Sequence, residues 1–375
     1  MRDGFSDGFL VQSHGTPLVL LREKIITRAF AWSAHRVCIS VHLAYTGSSQ
    51  PGDRATRRSV SCLTDRRARS NLEPHESSST HKSGFVAIVG KPNVGKSTLV
   101  NEYVGAKIAI VSNKPQTTRR VIRGILSRAD AQVIFVDTPG IHKPLHRLGS
   151  VMVDAATRVI NEVDVVVFLV DGSRMPTEED ARIGRLLNER CRVPVLLALN
   201  KMDLLKPQNV QAATEAHWAL VHHADWMRLS ATRGDNRDKL LEQILARLPA
   251  GPELYPADQV TDQNIQVLAA ELIREQVLQR TRQEIPHSVA VAIEQWEARR
   301  ADLTHISATI YVERESQKAI VIGAGGAMLK EIGQTARAEI EPWVGHQVYL
   351  ELWVKVWEKW RERENSLRDL GFTAE

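Results

Sequence analysis

Residues 85–100 read FVAIVGKPNVGKSTLV. A short apolar run, residues 85–89, ends at a glycine, and a second glycine precedes Lys96-Ser97 and a stretch of helical character. A run of this length bounded by glycine reads as a buried strand. Gly90 to Ser97 fits GxxxxGK[ST], and a place between strand and helix is what that motif requires. Its glycines let backbone N–H groups curl around phosphates, and the helix N-terminus adds positive potential. On this reading Gly90, Lys91, Pro92, Asn93, Val94 and Gly95 shape the loop. Lys96 reaches the β- and γ-phosphates, and the Ser97 hydroxyl ligates Mg²⁺.

Working outward, QVIFVD (132–137), VVVFLVD (165–171) and VPVLLALN (193–200) are further apolar strands, and EEDARIGRLLNER (178–190) between the last two has Ile183, Leu186 and Leu187 at helical spacing. Apolar strands alternating with helices predict a mainly parallel sheet covered on both faces. Asn200-Lys201-Met202-Asp203 follows a strand and so lies at the carboxyl end of the sheet, where ligands bind. A carboxylate at Asp203 accepts from N1–H and the exocyclic amine of guanine. Adenine would leave it facing a lone pair, so the base is guanine. Asn200 is expected to bond the other edge of the base and the Lys201 stem to pack along it. Ser230-Ala231-Thr232 fits a loop whose backbone N–H contacts the guanine oxygen.

Two strands end in aspartate. Only the first continues as Asp137-Thr138-Pro139-Gly140, where Asp137 would hold Mg²⁺ through water and the Gly140 N–H would sense the γ-phosphate. Asp171 reads as a strand-end residue capping a turn. Between the P-loop and Asp137 lies Gln116-Thr117-Thr118-Arg119. A threonine here closes over Mg²⁺ with GTP bound and releases after hydrolysis; the choice is Thr118, ahead of Thr117. Ile141 stands where Ras-like enzymes carry a glutamine that orients the attacking water, so another group must do so. The carbonyl of Asn93 is expected to help hold K⁺ against the phosphates. Lys96, Thr118, Gly140 and Asn93 are thus the expected catalytic set, and Ser97, Thr118 and Asp137 the metal set.

The 375 residues suggest two or three domains, and 43% hydrophobic and 25% charged residues are ordinary for a globular protein. No stretch reaches the roughly 20 apolar residues of a membrane-spanning helix. Cys38, Cys62 and Cys191 are scattered, which argues against a disulfide framework or zinc site. Net charge is +5, but residues 260–375 carry fourteen Lys/Arg against eighteen Asp/Glu. Bulk charge therefore does not argue for RNA binding by the C-terminal part.

Residues 1–82 lack sustained periodicity and are Ser/Arg-rich. They read as a disordered or mis-annotated N-terminal extension, with a true start near Leu72 in the second case. A transit peptide fits less well, given Asp3, Asp7 and Glu23. Residues 83–250 form the nucleotide domain, and 251–262, LPAGPELYPAD and its sequel, a linker. Residues 263–375 form an α+β domain, with alternation in HSVAVAIEQWEARR, HISATIYVERE and HQVYLELWVKVW. Val348, Leu350, Leu352, Val354 and Val356 share one face there.

IVIGAGGAMLK (320–330) carries a second glycine loop. Its spacing is not GxGxxG. As GxxG, Gly323-Ala324-Gly325-Gly326 matches the KH loop that clamps about four nucleotides of single-stranded RNA, with Lys318–Ile322 as a short helix before it. Ala324 and Gly325 bring no cation, so Lys318 and Lys330 would supply charge, and Gly325→Lys would tighten RNA binding.

GKPNVGKST, PQTTRR, FVDTPGIHK, NKMD, SAT, QKAIVIG–GG–LKEIG–AR and HQVYLELWVKVW together resemble the bacterial Era GTPases, from about residue 84 to 373. The resemblance implies an α/β P-loop GTPase domain followed by an α+β type-II KH domain. It also implies GTP hydrolysis to GDP, binding of the 3′ end of 16S rRNA in 30S subunit assembly, and a monomer in the cytoplasm with peripheral contact to the inner face of the cell membrane. The alternative is a GTP-dependent switch on a protein or membrane partner, with the KH fold as scaffold.

Overall fold

The computed structural model describes residues 81–372. The expected extension over 1–82 lies outside the described residues but for its last two. Those two belong to the nucleotide domain: Lys82 opens the first strand, and His81 Nδ1 donates to the Gly251 carbonyl at 2.9 Å.

The first lobe runs β1 (Lys82–Val89), α1 (Lys96–Val104), β2 (Ile122–Ser127), β3 (Ala131–Asp137), α2 (Arg147–Ile160), β4 (Val165–Asp171), α3 (Glu178–Arg190), β5 (Val195–Asn200), α4 (Val210–Trp218), β6 (Asp225–Arg228) and α5 (Arg237–Arg247). The sheet order is β2-β3-β1-β4-β5-β6, parallel except for β2. Alternate residues of β1 serve opposite faces. Val86 and Ile88 pack with Leu99 of α1 and Leu240 of α5, whereas Ala87 and Val89 pack with Ala156 of α2 and Ile183 of α3. This two-sided burial is why the strands are continuously apolar. The connection from β1 runs through α1 to the β2–β3 side, whereas that from β3 passes through α2 to β4 on the other side of β1, and the P-loop sits at that switch point, where a crevice forms.

The second lobe runs α6 (Ile265–Arg280), α7 (Ile285–Ser288), β7 (Ala290–Arg300), β8 (Leu303–Val312), α8 (Glu315–Ile322), α9 (Ala327–Val344), β9 (Gln347–Val356) and α10 (Glu364–Asp369). β8 pairs antiparallel with β7 and parallel with β9. Apart from the short α7 and α10, the order is αββααβ. Ala308 of β8 and Val348 and Val354 of β9 meet Leu272 of α6 and Ile332 and Ala336 of α9 in one core. The expected face of β9 is the buried one, and Tyr349 and Trp353 project from the other, exposed.

The segment expected as a linker is attached. Ile125 N donates to Val260 O at 2.9 Å, and buried Gln132 accepts from Leu254 N and Tyr255 N at 2.7 and 2.9 Å while donating to Tyr255 O. Residues 251–262 are therefore tied along the β2–β3 edge. A further apolar cluster joins Leu148 and Met152 of α2 to Ala290, Leu367, Leu370 and the fully buried Trp360.

Candidate nucleotide and nucleic-acid sites

A cavity of about 360 Å³ opens at the carboxyl end of the sheet. Pro92, Asn93, Gly95, Lys96, Ser97, Thr118, Gly140, Asn200, Lys201, Asp203, Ala231 and Thr232 line it, so residues far apart in sequence converge as expected. The remaining motif residues stand behind this lining. Val94 and Ile141 are buried in the core. Thr138 donates to Ile88 O at 2.8 Å, and Ser230 accepts from Arg233 N. Lys91 turns away, and its ammonium meets the buried Asp180 carboxylate at 2.6 Å. Gly90 must be glycine, because a Cβ would lie 2.2 Å from Leu169 O. Pro139 and Met202 complete their loops beside these residues without lining the cavity.

At one end of the cavity, Ser97 Oγ donates to Asp137 Oδ2 at 2.6 Å and lies 2.8 Å from Thr118 Oγ1, which is 3.4 Å from the same carboxylate oxygen. Thr117 is turned aside, its hydroxyl donating to Lys114 O at 2.6 Å. Thr118, and not Thr117, has its hydroxyl in the Ser97–Asp137 cluster. Asp137 Oδ1 is buried without a partner, and burial pushes the carboxyl above its ordinary range. Lys96 is buried beside it, and desolvation lowers its ammonium to about 8 against the pull of Asp137. An unsatisfied buried carboxylate oxygen next to two hydroxyls suits a hard cation with oxygen ligands. A desolvated ammonium suits an anion. The residues therefore fit Mg²⁺ and phosphate together.

Asn200 Nδ2 donates to Val94 O at 2.8 Å and its Oδ1 accepts from Ala231 N at 2.9 Å, so this buried side chain braces the P-loop against the Ser230–Thr232 loop; Nδ2 carries a second hydrogen, and Asn200 lines the cavity. The Asn93 main-chain carbonyl accepts from the Lys201 ammonium at 2.6 Å and Asn93 Nδ2 donates to Asn113 O at 2.8 Å, which leaves the side-chain oxygen as the freer of its two acceptors. Asp171 caps its turn through Ser173 N and Oγ, as expected, and in addition holds Lys201 at 3.0 Å.

The second glycine loop follows a helix, as expected, and α8 begins at Glu315. Gly323, Gly325 and Gly326 have φ of 74°, 56° and 80°. A Cβ on Gly323 would also lie 2.6 Å from Met328 Cβ, whereas Gly325 faces open space. Gly326, Leu329, Lys330, Gly333, Arg337, Tyr349, Leu350 and Leu352 line a groove of about 410 Å³ between α9 and β9. Lys318 is not among them; its ammonium lies 3.7 Å from Glu315. Arg337 and Tyr349 line the groove, and their signal in the sequence is faint: a helix position about three turns past the loop, and an aromatic on the polar face of a strand.

Sequence reasoning also missed the contact between the two lobes. Arg119, next to Thr118, is buried and donates to Val289 O at 2.6 Å, to His287 O at 3.1 Å and to Pro286 O at 3.2 Å. Its guanidinium lies over the Trp360 ring, 5.7 Å from the centroid. Arg120 donates to Gly371 O and Leu370 O, Arg274 donates to Thr117 O, and Val111 N donates to Glu275 at 2.8 Å. The segment 111–120 thus contributes Val111, Gln116 and Thr118 to the cavity lining and is at the same time bound to the second lobe.

A strand–P-loop–helix with a guanine-type aspartate, joined to an αββααβ domain with a GxxG loop, defines a P-loop GTPase carrying a KH domain. A family model described as 50S ribosome-binding GTPase matches residues 85–201, and a KH domain model matches 284–361. A variant of Aquifex aeolicus Era solved bound to GDP·AlF₄⁻ is 41% identical over 78% of this chain and 100% of its own, with a TM-score of 0.74. An Era solved in complex with MgGDPNP and nucleotides 1506–1542 of 16S ribosomal RNA is 40% identical at the same coverage, with a TM-score of 0.75. The chain belongs to the Era family of GTPases.

Proposed function

We propose that the chain is a GTP-hydrolysing assembly factor that binds the 3′ end of 16S rRNA through its KH domain and supports maturation of the 30S subunit. The observation that carries this reading is the adjacency of Thr118, at the phosphate end of the cavity, to Arg119, held inside the KH lobe. The broad GTPase family model is described by the large subunit, but the full-length relative solved with RNA holds a small-subunit sequence. The relative solved with RNA, which matches over most of this chain, supports the small-subunit reading. A cytoplasmic monomer with peripheral contact at the inner membrane face belongs to the same reading and is supported by family membership. Among the described residues no helix is long and apolar enough to cross a membrane.

In this reading the P-loop amides and Lys96 bind the phosphates, and the Gly140 N–H meets the γ-phosphate. Asp203 accepts from guanine, with the Ala231 and Thr232 amides on its oxygen. Ser97, Thr118 and Asp137 would hold Mg²⁺, which when bound offsets the charge developing on the transferred phosphoryl group. GTP thereby keeps residues 111–120 in place while the KH lobe grips RNA, and hydrolysis frees Thr118 and releases the grip. The Asn93 side-chain oxygen remains the candidate ligand for K⁺. Turnover in K⁺ should exceed turnover in Na⁺ by about 10²-fold, the order of one lost charge-stabilising group; equal rates would remove that ion.

The groove test uses position 324. Gly325→Lys forces a side chain into a left-handed backbone, which costs about 1 kcal/mol, whereas Ala324 is exposed and has no positive φ. Ala324→Lys should tighten binding of a 16S 3′-end oligonucleotide and steepen the salt dependence by about one unit of slope. Gly325→Asp should weaken it. RNA affinity that ignores both changes would argue for a switch acting on some other partner.

A further inference from the structure

We propose that Gln116 orients the water that attacks GTP and that His142 positions Gln116 for this task. The inference rests on the GTPase reading above and extends it to a group that the motifs leave unassigned. Ile141 occupies the sequence position where a glutamine would serve. Its side chain is only 2% exposed and packs under β1, and its N–H donates to Gly90 O at 3.3 Å, so it faces away from the cavity.

Gln116 stands where such a group is needed. It lines the nucleotide cavity together with Thr118 and Gly140, and it also lines a second, larger cleft beside Pro92 and Asn93. Pro92, Asn93 and Gln116 are common to both linings, so Gln116 stands at their boundary, on the side of the cavity that holds Lys96, Ser97 and Gly140. In-line attack on the γ-phosphorus comes from the side opposite the β–γ bridging oxygen, so the water enters from that boundary.

The orientation of the Gln116 amide follows from its partners. His142 is buried, and its Nδ1 lies 2.8 Å from the Gly140 carbonyl. A carbonyl only accepts, so Nδ1 carries the hydrogen, and in the neutral imidazole Nε2 is the acceptor. Gln116 Nε2 lies 2.9 Å from His142 Nε2 and must donate to it. The amide nitrogen is thereby turned toward His142, and Oε1 is left as a free acceptor for a water hydrogen. The same chain ties Gln116 to Gly140, whose N–H meets the γ-phosphate in the proposed mechanism. Gln116 is held in the left-handed region at φ 59°, a conformation that residues with a side chain rarely adopt and that surrounding contacts must enforce.

The step balances without a redox partner. The water oxygen bonds to the γ-phosphorus, and the bond to the β–γ bridging oxygen breaks with its electron pair going to GDP. One water proton stays on the released phosphate and the other leaves to solvent. Gln116 accepts a hydrogen bond throughout and takes no proton.

The test compares Gln116→Ala, His142→Ala and His142→Gln with the wild type in three measurements: GDPNP affinity, affinity for GDP with aluminium fluoride, and single-turnover hydrolysis. Gln116→Ala should slow hydrolysis by about 10²-fold and weaken the aluminium fluoride complex in parallel, with GDPNP affinity nearly unchanged. His142→Ala should move the same two readouts, and His142→Gln, which keeps an acceptor near Nε2, should recover most of the loss. A Gln116→Ala rate equal to wild type, or GDPNP affinity falling in proportion to the rate, would overturn the assignment. Wild-type protein that fails to bind GDPNP would overturn the GTPase reading itself, which separates the two failures.

Discussion

Asp203→Asn is expected to lower GTP affinity by about 10²–10⁴-fold and to turn the base preference toward xanthine. Asp203 stands exposed in the cavity wall with Lys201, Ala231 and Thr232. Guanine presents two donors, N1–H and the exocyclic amine, and an ionised carboxylate is an acceptor at both oxygens. Asparagine keeps one acceptor and sets its own amine against the second donor. A hydrogen bond to a charged group contributes about 1.5–3 kcal/mol, and an orphaned donor costs about 1–3 kcal/mol more. At tenfold per 1.4 kcal/mol the sum gives the stated range. Xanthine has an oxygen where guanine has the amine, so it matches the asparagine at both positions. Competition of GDP and XDP for the variant reads the outcome directly, and an unchanged preference for GDP would take Asp203 out of the base site. Because the Lys201 ammonium is held by Asp171 and Asn93 rather than by Asp203, the substitution leaves the brace across the P-loop intact.

The parts legible in the sequence are those whose physics is local. A strand, a glycine turn and a helix N-terminus lie within sixteen consecutive residues, and their order alone determines what the loop can bind. The same holds for Asp137-Thr138-Pro139-Gly140 and for the GxxG turn, where φ above zero at Gly323, Gly325 and Gly326 is a demand of the turn itself. What the sequence does not show is where a side chain answers to a distant partner. The Asn200 amide, at a strand end in the cavity wall, also braces Val94 and Ala231, 106 and 31 residues away in the chain. Residues 251–262 carry the prolines and glycine of a linker, yet Gln132 binds them from 122 residues away. Composition is neutral on the RNA question because the two cations of the groove, Lys330 and Arg337, are set against many acidic residues elsewhere in the lobe.

Arg119→Ala is expected to abolish most of the difference in RNA affinity between the GDPNP and GDP forms. The coupling between two sites of one protein is typically about 1–3 kcal/mol, or about 5–150-fold, and the variant should bring the ratio close to one. The reason lies in what Arg119 touches. Three main-chain carbonyls of Pro286, His287 and Val289 accept from one guanidinium, and these residues lead directly into β7 of the KH sheet. Burial and the neighbouring Arg274 cation both work against the charged form of Arg119, and its Nε has no partner. A buried cation sustained by so few alternatives has little freedom to shift: either it reaches those carbonyls or it leaves the pocket. Thr118 is its immediate neighbour, so a movement that withdraws the Thr118 hydroxyl from Ser97 and Asp137 pulls Arg119 from Trp360 and the 286–289 turn. Removal of the side chain leaves three carbonyls short of a donor and will also lower stability, which is why the ratio of the two RNA affinities is the quantity to measure; a loss of folded protein moves both values equally. Arg120→Ala serves as the comparison. Its carbonyl partners Leu370 and Gly371 lie at the end of the lobe, and Gly371 lies at its surface. It should reduce the ratio far less. If Arg119→Ala preserves the full ratio, the nucleotide signal reaches the KH lobe by another route, through Arg274 at Thr117 or Glu275 at Val111, and those two contacts become the ones to break.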